Sequence, residues 1–195
     1  MSYFAIVDFD VHHGNGTQSA FYEDATVLFV SSHQYPYYPG TGAAEEVGRE
    51  AGRGFTVNLP LEVGAVDEDY QTVFAGVVIP VVRQFEPDLI IVSAGFDAHE
   101  RDPLGGMRLT TPAFAAMTSE LRAVADECCR GRIVASVEGG YDLQALAGSL
   151  DGVIETLNGP PSPPAWPSSG IVSSRGRDSI KAAHLALAPF WTIAK

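Results

Sequence analysis

The chain has 195 residues, 46% of them hydrophobic, and a formal net charge of −12. That length and apolar content predict one sizeable core in a single globular unit, against roughly 100–200 residues per domain. The start, MSYFAIVDFD, has no basic leader, and no apolar run approaches the ~20 residues that span a bilayer, so the expectation is a soluble, cytoplasmic protein with no membrane partner.

The charge is uneven. The first 157 residues hold 8 basic and 23 acidic side chains, a net of about −15. Such a body repels the phosphate backbone and disfavours direct nucleic-acid binding, while it tolerates or attracts a small cationic substrate. The only cysteines, Cys128 and Cys129, are adjacent within a helical pattern, which suits core packing in a reducing compartment better than a disulfide.

In chain order, short apolar runs alternate with helical patterns. The runs are FAIV (4–7), TVLFVS (26–31), FTVNL (55–59), LIIVS (89–93) and IVASV (133–137). Nearly continuous apolar character marks strands buried on both faces. From Tyr70, the positions Val73, Phe74, Val77, Val78, Val81, Val82 and Phe85 make one helical stripe, which Pro80 should kink or break. A second helix begins at Thr111-Pro112, turns Phe114, Met117, Leu121, Val124 and Cys128 inward, and stops at Gly131. A third, capped by Asp142, buries Leu143, Leu146, Leu150, Val153 and Leu157. This alternation predicts an α/β fold with a mostly parallel sheet flanked by helices. The core is expected to end near residue 157. Residues 158–195 then form a Pro-rich extension, either an ordered wrap or a flexible tail, in which HLALAPFW suggests a short docking helix.

The polar clusters follow strands: DFDVHHG after FAIV, AGFDAHERDPLGG after LIIVS, and EGGYD after IVASV. In a parallel sheet the carboxyl ends of strands are where ligands bind, so Asp8, Asp10, His12, Asp97 and Tyr141 should meet on one rim. Asp10 and His12, two apart on an extended segment, point to one side. With Asp97 they would form an Asp2His site with open positions, suited to a catalytic divalent metal and to zinc first. Other readings stand beside this one. Asp10 and His12 can be a structural cap pair, Asp97 a turn residue, Gly139 and Gly140 a tight turn, and Tyr141 a core aromatic. A calcium loop fits poorly, because its glycine falls one place late and Ser19 stands where glutamate is needed. GNG without a third glycine is a weak dinucleotide signal.

Taken together and in order, DFDVHHGNGTQ, SSHQYPYYPGTG, VNLPL, AGFDAHERDPLGG and EGGYDL resemble the zinc-dependent histone deacetylase and acetylpolyamine amidohydrolase superfamily. The wording of AHERDPLGG and EGGYDL is similar to the bacterial and class II branch. The resemblance covers residues 4 to about 157 and implies an arginase-like fold. It implies Asp10, His12 and Asp97 as zinc ligands, Tyr141 as the hydrogen-bond donor to the amide oxygen, and Asp8 as the buried partner of a catalytic histidine. It also implies potassium held by Asp8, Asp10, His12, Ser31 and Ser32, and an acyl-lysine channel lined by Tyr38 and Leu104 beside Gly139 and Gly140.

In that family a tandem histidine pair upstream of the DxDxH motif supplies the acid and base, yet only seven residues precede Asp8 and none is histidine. His13, His33, His99 and His184 do not match that pair. The resemblance therefore implies the C-terminal portion of a deacetylase, an N-terminally truncated version of the fold. FAIV and its neighbours should then be partly uncovered and prone to self-association. Two functions follow: a zinc amidohydrolase acting on acetyl-lysine or acetylpolyamines, or a non-catalytic metal-binding or partner-binding remnant.

Overall fold

The five apolar runs form five parallel strands in a computed structural model that describes residues 2–168 and 170–193. They are β1 (Phe4–Asp8), β2 (Val27–Gln34), β3 (Thr56–Leu61), β4 (Leu89–Ala94) and β5 (Ile133–Val137), in the order β3-β2-β1-β4-β5. The helices are α1 (Asn15–Phe21), α2 (Asp67–Val73), α3 (Ile79–Phe85), α4 (Thr111–Cys129), α5 (Leu143–Asn158) and α6 (Arg175–Leu187). No helix among the described residues is long and apolar enough to cross a membrane.

The chain runs outward from β1 through β2 to β3, then returns to lay β4 on the other side of β1. The strand order therefore reverses between β1 and β4, and the loops leaving these neighbours diverge to open a crevice. Asp8 is in register with Ser31 on one side and with Ser93 on the other, so three strand ends lie level. Ala94 pairs with Val137, which brings the end of β5 to the same rim.

Pro80 does not break its helix. A π-helical turn at Phe74–Val78 joins α2 to α3 just before the proline and absorbs the lost amide donor, so the apolar stripe stays buried from Val73 to Val82, with Phe85 half-buried at its end. Helix α4 takes Thr110 as its cap, one residue before the expected position, and ends with Arg130 and Gly131 in left-handed conformation. Asp142 caps α5 as expected, its carboxylate accepting from the Ala145 amide at 2.8 Å.

Residues 159–168 run along α4 as an ordered wrap. Ser119 Oγ donates to the Ser162 carbonyl at 2.9 Å, and Trp166 Nε1 donates to Glu120 Oε1 at 2.8 Å. The helix expected at HLALAPFW lies over Arg175–Leu187 instead, beginning nine residues earlier and leaving Ala188, Pro189, Phe190 and Trp191 beyond its end. As α6 it packs on α2 and β3 and delivers Ile180, Ala183 and Leu187 into the same core as the strands. Cys129 is buried and both thiols are free.

Phe4 and Ile6 are partly uncovered, as expected, but the most exposed part of the sheet lies at β5. β1 is the middle strand, with Ala5 and Val7 buried on one face. On the other, Phe29, Ile6, Ile91 and Val134 stand side by side in register. Phe29 is buried beside His13, Ile6 and Ile91 are half-covered, and Val134 is 50% exposed. Exposure on this face thus grows toward β5, the edge strand, and Val137 on the opposite face of β5 is 52% exposed as well.

Candidate metal centre

Past β1 the chain does not stay extended as expected but bends at Val11 and His12, yet Asp10 and His12 still converge in the crevice, and Asp97 joins them from the loop after β4. His12 Nδ1 lies 3.0 Å from Asp10 Oδ1 and 3.2 Å from Asp97 Oδ2. These donors are within 4.8 Å of one another, the one such group of His, Cys, Asp and Glu among the described residues. Each carboxylate is held by backbone amides. Asp97 Oδ1 accepts from Val11 N at 2.8 Å, and Asp10 Oδ1 accepts from His12 N at 2.8 Å. Asp8 Oδ1 in turn accepts from Asp10 N at 3.0 Å.

The cluster gathers two carboxylates against a single imidazole. Asp97 is fully buried, and its Oδ2 faces the cluster with no hydrogen-bond partner. Burial, followed by the nearby Asp10 charge, raises the Asp97 pKa. Burial raises that of Asp8 as well. An orphaned buried carboxylate oxygen beside a second carboxylate and an imidazole is a donor set that fits a divalent metal, with Asp10, His12 and Asp97 as the residues to hold it.

The Gly139–Gly140 turn closes the floor. Gly139 N donates to Asp10 Oδ2 at 3.1 Å, and its own carbonyl accepts from Phe96 N at 3.0 Å. A Cβ on Gly139 would overlap the carboxylates of Asp97 and Asp10, so only glycine lets this backbone approach. Gly140, at φ +132°, then turns the chain so that Tyr141 emerges on the rim, 55% exposed.

Two aromatic rings flank His12: Tyr37, stacked at 5.6 Å, and Tyr38, edge-on at 6.1 Å. Tyr38 and Leu104 are both exposed at the opening, and the Tyr37 hydroxyl donates to the Leu104 carbonyl, linking the two sides. The expected potassium residues gather beneath the crevice. Ser31 and Ser32 are buried in β2, and Ser32 Oγ donates to the Asp8 carbonyl at 3.4 Å.

The remaining histidines are engaged elsewhere. His13 bonds Thr41 Oγ1 at 2.8 Å and Gln18 Oε1 at 3.0 Å. His33 bonds Ser31 Oγ and the Gly42 carbonyl, both at 2.9 Å. His99 bonds Thr111 Oγ1 at 3.1 Å and accepts from Arg101 N at 3.1 Å. His184 belongs to α6, which packs on α2 and β3. His13, His33 and His99 thus have both ring nitrogens occupied by these partners.

Sequence reasoning passed over Tyr37 and Asp102. Tyr37 is adjacent to a residue it did single out, so a signal existed. Asp102 reads as an ordinary Asp-Pro turn, and its partners lie in another loop.

A parallel α/β sheet with a carboxylate–imidazole cluster at its switch point and a tyrosine on the rim defines a class of metal-site hydrolase scaffolds. Residues 2–157 match the model of the histone deacetylase domain, and the chain belongs to that family. It is 48% identical over 157 residues to "Histone deacetylase 10, chloroplastic" of Oryza sativa subsp. japonica, covering 80% of this chain and 35% of that protein. It is 41% identical over 194 residues to "Polyamine deacetylase HDAC10" of Mus musculus, covering 96% and 28%. The solved histone deacetylase Clr3 superposes with a TM-score of 0.90 at 40% identity, over all of this chain and 33% of that one. The chain thus spans about a third of the length of these relatives.

Proposed function

We propose that this chain carries the metal centre of a zinc-dependent amidohydrolase that removes acetyl groups from lysine side chains or polyamines. The observation that carries the reading is the convergence of His12 Nδ1 on Asp10 Oδ1 and Asp97 Oδ2 at 3.0 and 3.2 Å, below a rim that holds Tyr141. When bound, zinc supplies Lewis acidity toward an amide carbonyl and lowers the pKa of a water toward about 7.

The chain's own groups supply the metal ligands, an oxyanion donor and the substrate passage, while His13, His33 and His99 are engaged elsewhere and none is assigned the role of base. Asp10, His12 and Asp97 hold the ion. Tyr141 offers its hydroxyl to the oxyanion that develops on the carbonyl, anchored by the glycine turn that seats on Asp10. Tyr37, Tyr38 and Leu104 provide an apolar passage for an alkyl-amine stem, and the acidic body favours a cationic substrate. Asp8, Ser31 and Ser32, with Asp10 and His12, form the potassium-binding support. The free thiols of Cys128 and Cys129 suit a reducing compartment such as the cytoplasm. A second copy of the chain is the partner proposed for the exposed side of β5.

The test is an assay with an acetyl-lysine peptide and an acetylated polyamine in the presence of zinc, for the native chain and Tyr141→Phe. Turnover that falls about a hundredfold in Tyr141→Phe supports the reading. Stoichiometric zinc binding with no turnover on either substrate overturns it in favour of a non-catalytic metal-binding module.

A further inference from the structure

We infer that Asp102 is a positioning residue that holds Tyr141 over the metal centre and ties it to the Leu104 side of the opening. This rests on the reading of Tyr141 given above. Asp102 is only 8% exposed, and its two carboxylate oxygens serve two different loops. Oδ2 accepts from the Tyr141 amide at 2.7 Å, while Oδ1 accepts from the amides of Leu104 at 2.9 Å and Gly105 at 3.3 Å.

These bonds matter because of what surrounds Tyr141. The turn before it is Gly139–Gly140, whose backbone is the freest available in a protein chain, and the Tyr141 side chain is half exposed. After it, Asp142 is committed to capping α5. The hydrogen bond that fixes the Tyr141 amide is the one to Asp102, a charged acceptor and hence a strong one. The loop that carries Asp102 is itself anchored on both sides. Arg101 reaches Asp142 Oδ2 at 3.2 Å and Gln144 Oε1 at 2.9 Å, and the Leu104 carbonyl accepts the Tyr37 hydroxyl. Tyr37 stacks on His12, so the chain of contacts runs from Tyr141 through Asp102 and Leu104 to a residue that touches the cluster. Displacement of Tyr141 by even one ångström removes its hydroxyl from the place where a carbonyl oxygen would sit, which mispositioning alone translates into a large loss of rate.

The two oxygens make a discriminating substitution available. In Asp102→Asn the side-chain oxygen satisfies the paired donors Leu104 and Gly105, and the amide nitrogen is left facing the Tyr141 N–H, donor against donor. Asn thus releases Tyr141 while it keeps the loop of Leu104. The experiment is amide hydrogen exchange resolved by NMR on the full chain with zinc, for the native protein and Asp102→Asn.

Slow exchange at Tyr141 in the native chain is expected, rising about tenfold or more in Asp102→Asn with Leu104 changed far less. Fast exchange at Tyr141 in the native chain, or equal rates in the two proteins, overturns the inference. The native measurement stands even if the variant does not fold. Where turnover is measurable, kcat should fall about tenfold in Asp102→Asn with KM nearly unchanged, and no further in a Tyr141→Phe background. Additive losses would contradict action through Tyr141. Absence of turnover in the native chain would count against the deacetylase reading and leave the exchange result to decide the role of Asp102.

Discussion

The backbone amide of Gly139 donates to Asp10 Oδ2 at 3.1 Å across 129 positions of sequence, so the end of the edge strand β5 is fastened to the end of the central strand β1 at the candidate metal centre. The contact works only because no side chain separates the two. In Gly139→Ala the new methyl group would collide with Asp97 and Asp10. Zinc affinity should fall about 10- to 100-fold, read by competition with a chromogenic chelator. An unchanged affinity would show that the floor of the site can move aside.

Stability should weaken with acid through His33. This imidazole is fully buried, and burial, followed by the neighbouring His13, pushes its pKa down from 6.5 to about 3. The folded value lies below the unfolded one, so the unfolded chain binds the extra proton between them. The stabilising contribution is complete above about pH 6.5 and is lost as pH falls toward 3, on the order of 3–5 kcal/mol in all. Denaturant melts at several pH values should show the slope, and His33→Gln should flatten it. Parallel slopes for the two proteins would assign the effect to other groups.

Helix α6 should behave as part of the core. Leu187 is fully buried and Leu185, on the opposite face, is 84% exposed. Leu187→Ala should cost about 2–5 kcal/mol by denaturant unfolding, and Leu185→Ala less than about 0.5 kcal/mol. A negligible cost at Leu187 would mean that residues 158–193 add little to the stability of the sheet and its helices.

Self-association is expected on the open side of the sheet. Val134 stands at the exposed end of the row formed with Ile6 and Ile91, and β5 offers an unpaired edge beside it. A charge there opposes edge-to-edge pairing. Val134→Lys should therefore shift the sedimentation profile toward monomer relative to the native chain at equal concentration. A native chain that is already monomeric would remove this surface from consideration.

The strands were legible as apolar runs, and their boundaries came within three residues of the observed ones, but β5 departs from the expected burial on both faces: as an edge strand it has Ile133 half-buried and Val134 to Val137 exposed. The long helices were legible from Asp142, the Thr-Pro start and most of their stripes, although Leu143, expected inside, is 76% exposed on the first turn of α5 and only Val153 of that stripe is fully buried. Helix α1 was not, since NGTQSAF offers no apolar stripe and only Gln18 is buried within it. The network joining Gln18 to His13, Asn58 and Glu46 was equally hidden, because hydrogen bonds between residues 5, 40 and 28 positions apart leave no periodic trace.

By itself the sequence determined the alternation of strand and helix, and it put Asp10, His12, Asp97 and Tyr141 after strands, where chemistry gathers. Local physics suffices for that, since burial period and residue type are properties of short segments. Only the tertiary structure decided that β1 lies in the middle of the sheet, that the strand order reverses beside Asp10 and Asp97, and that Asp102 spans the two loops around Tyr141. Strand order and loop-to-loop hydrogen bonds depend on which distant segments share the free energy of one core, and no local pattern encodes that choice.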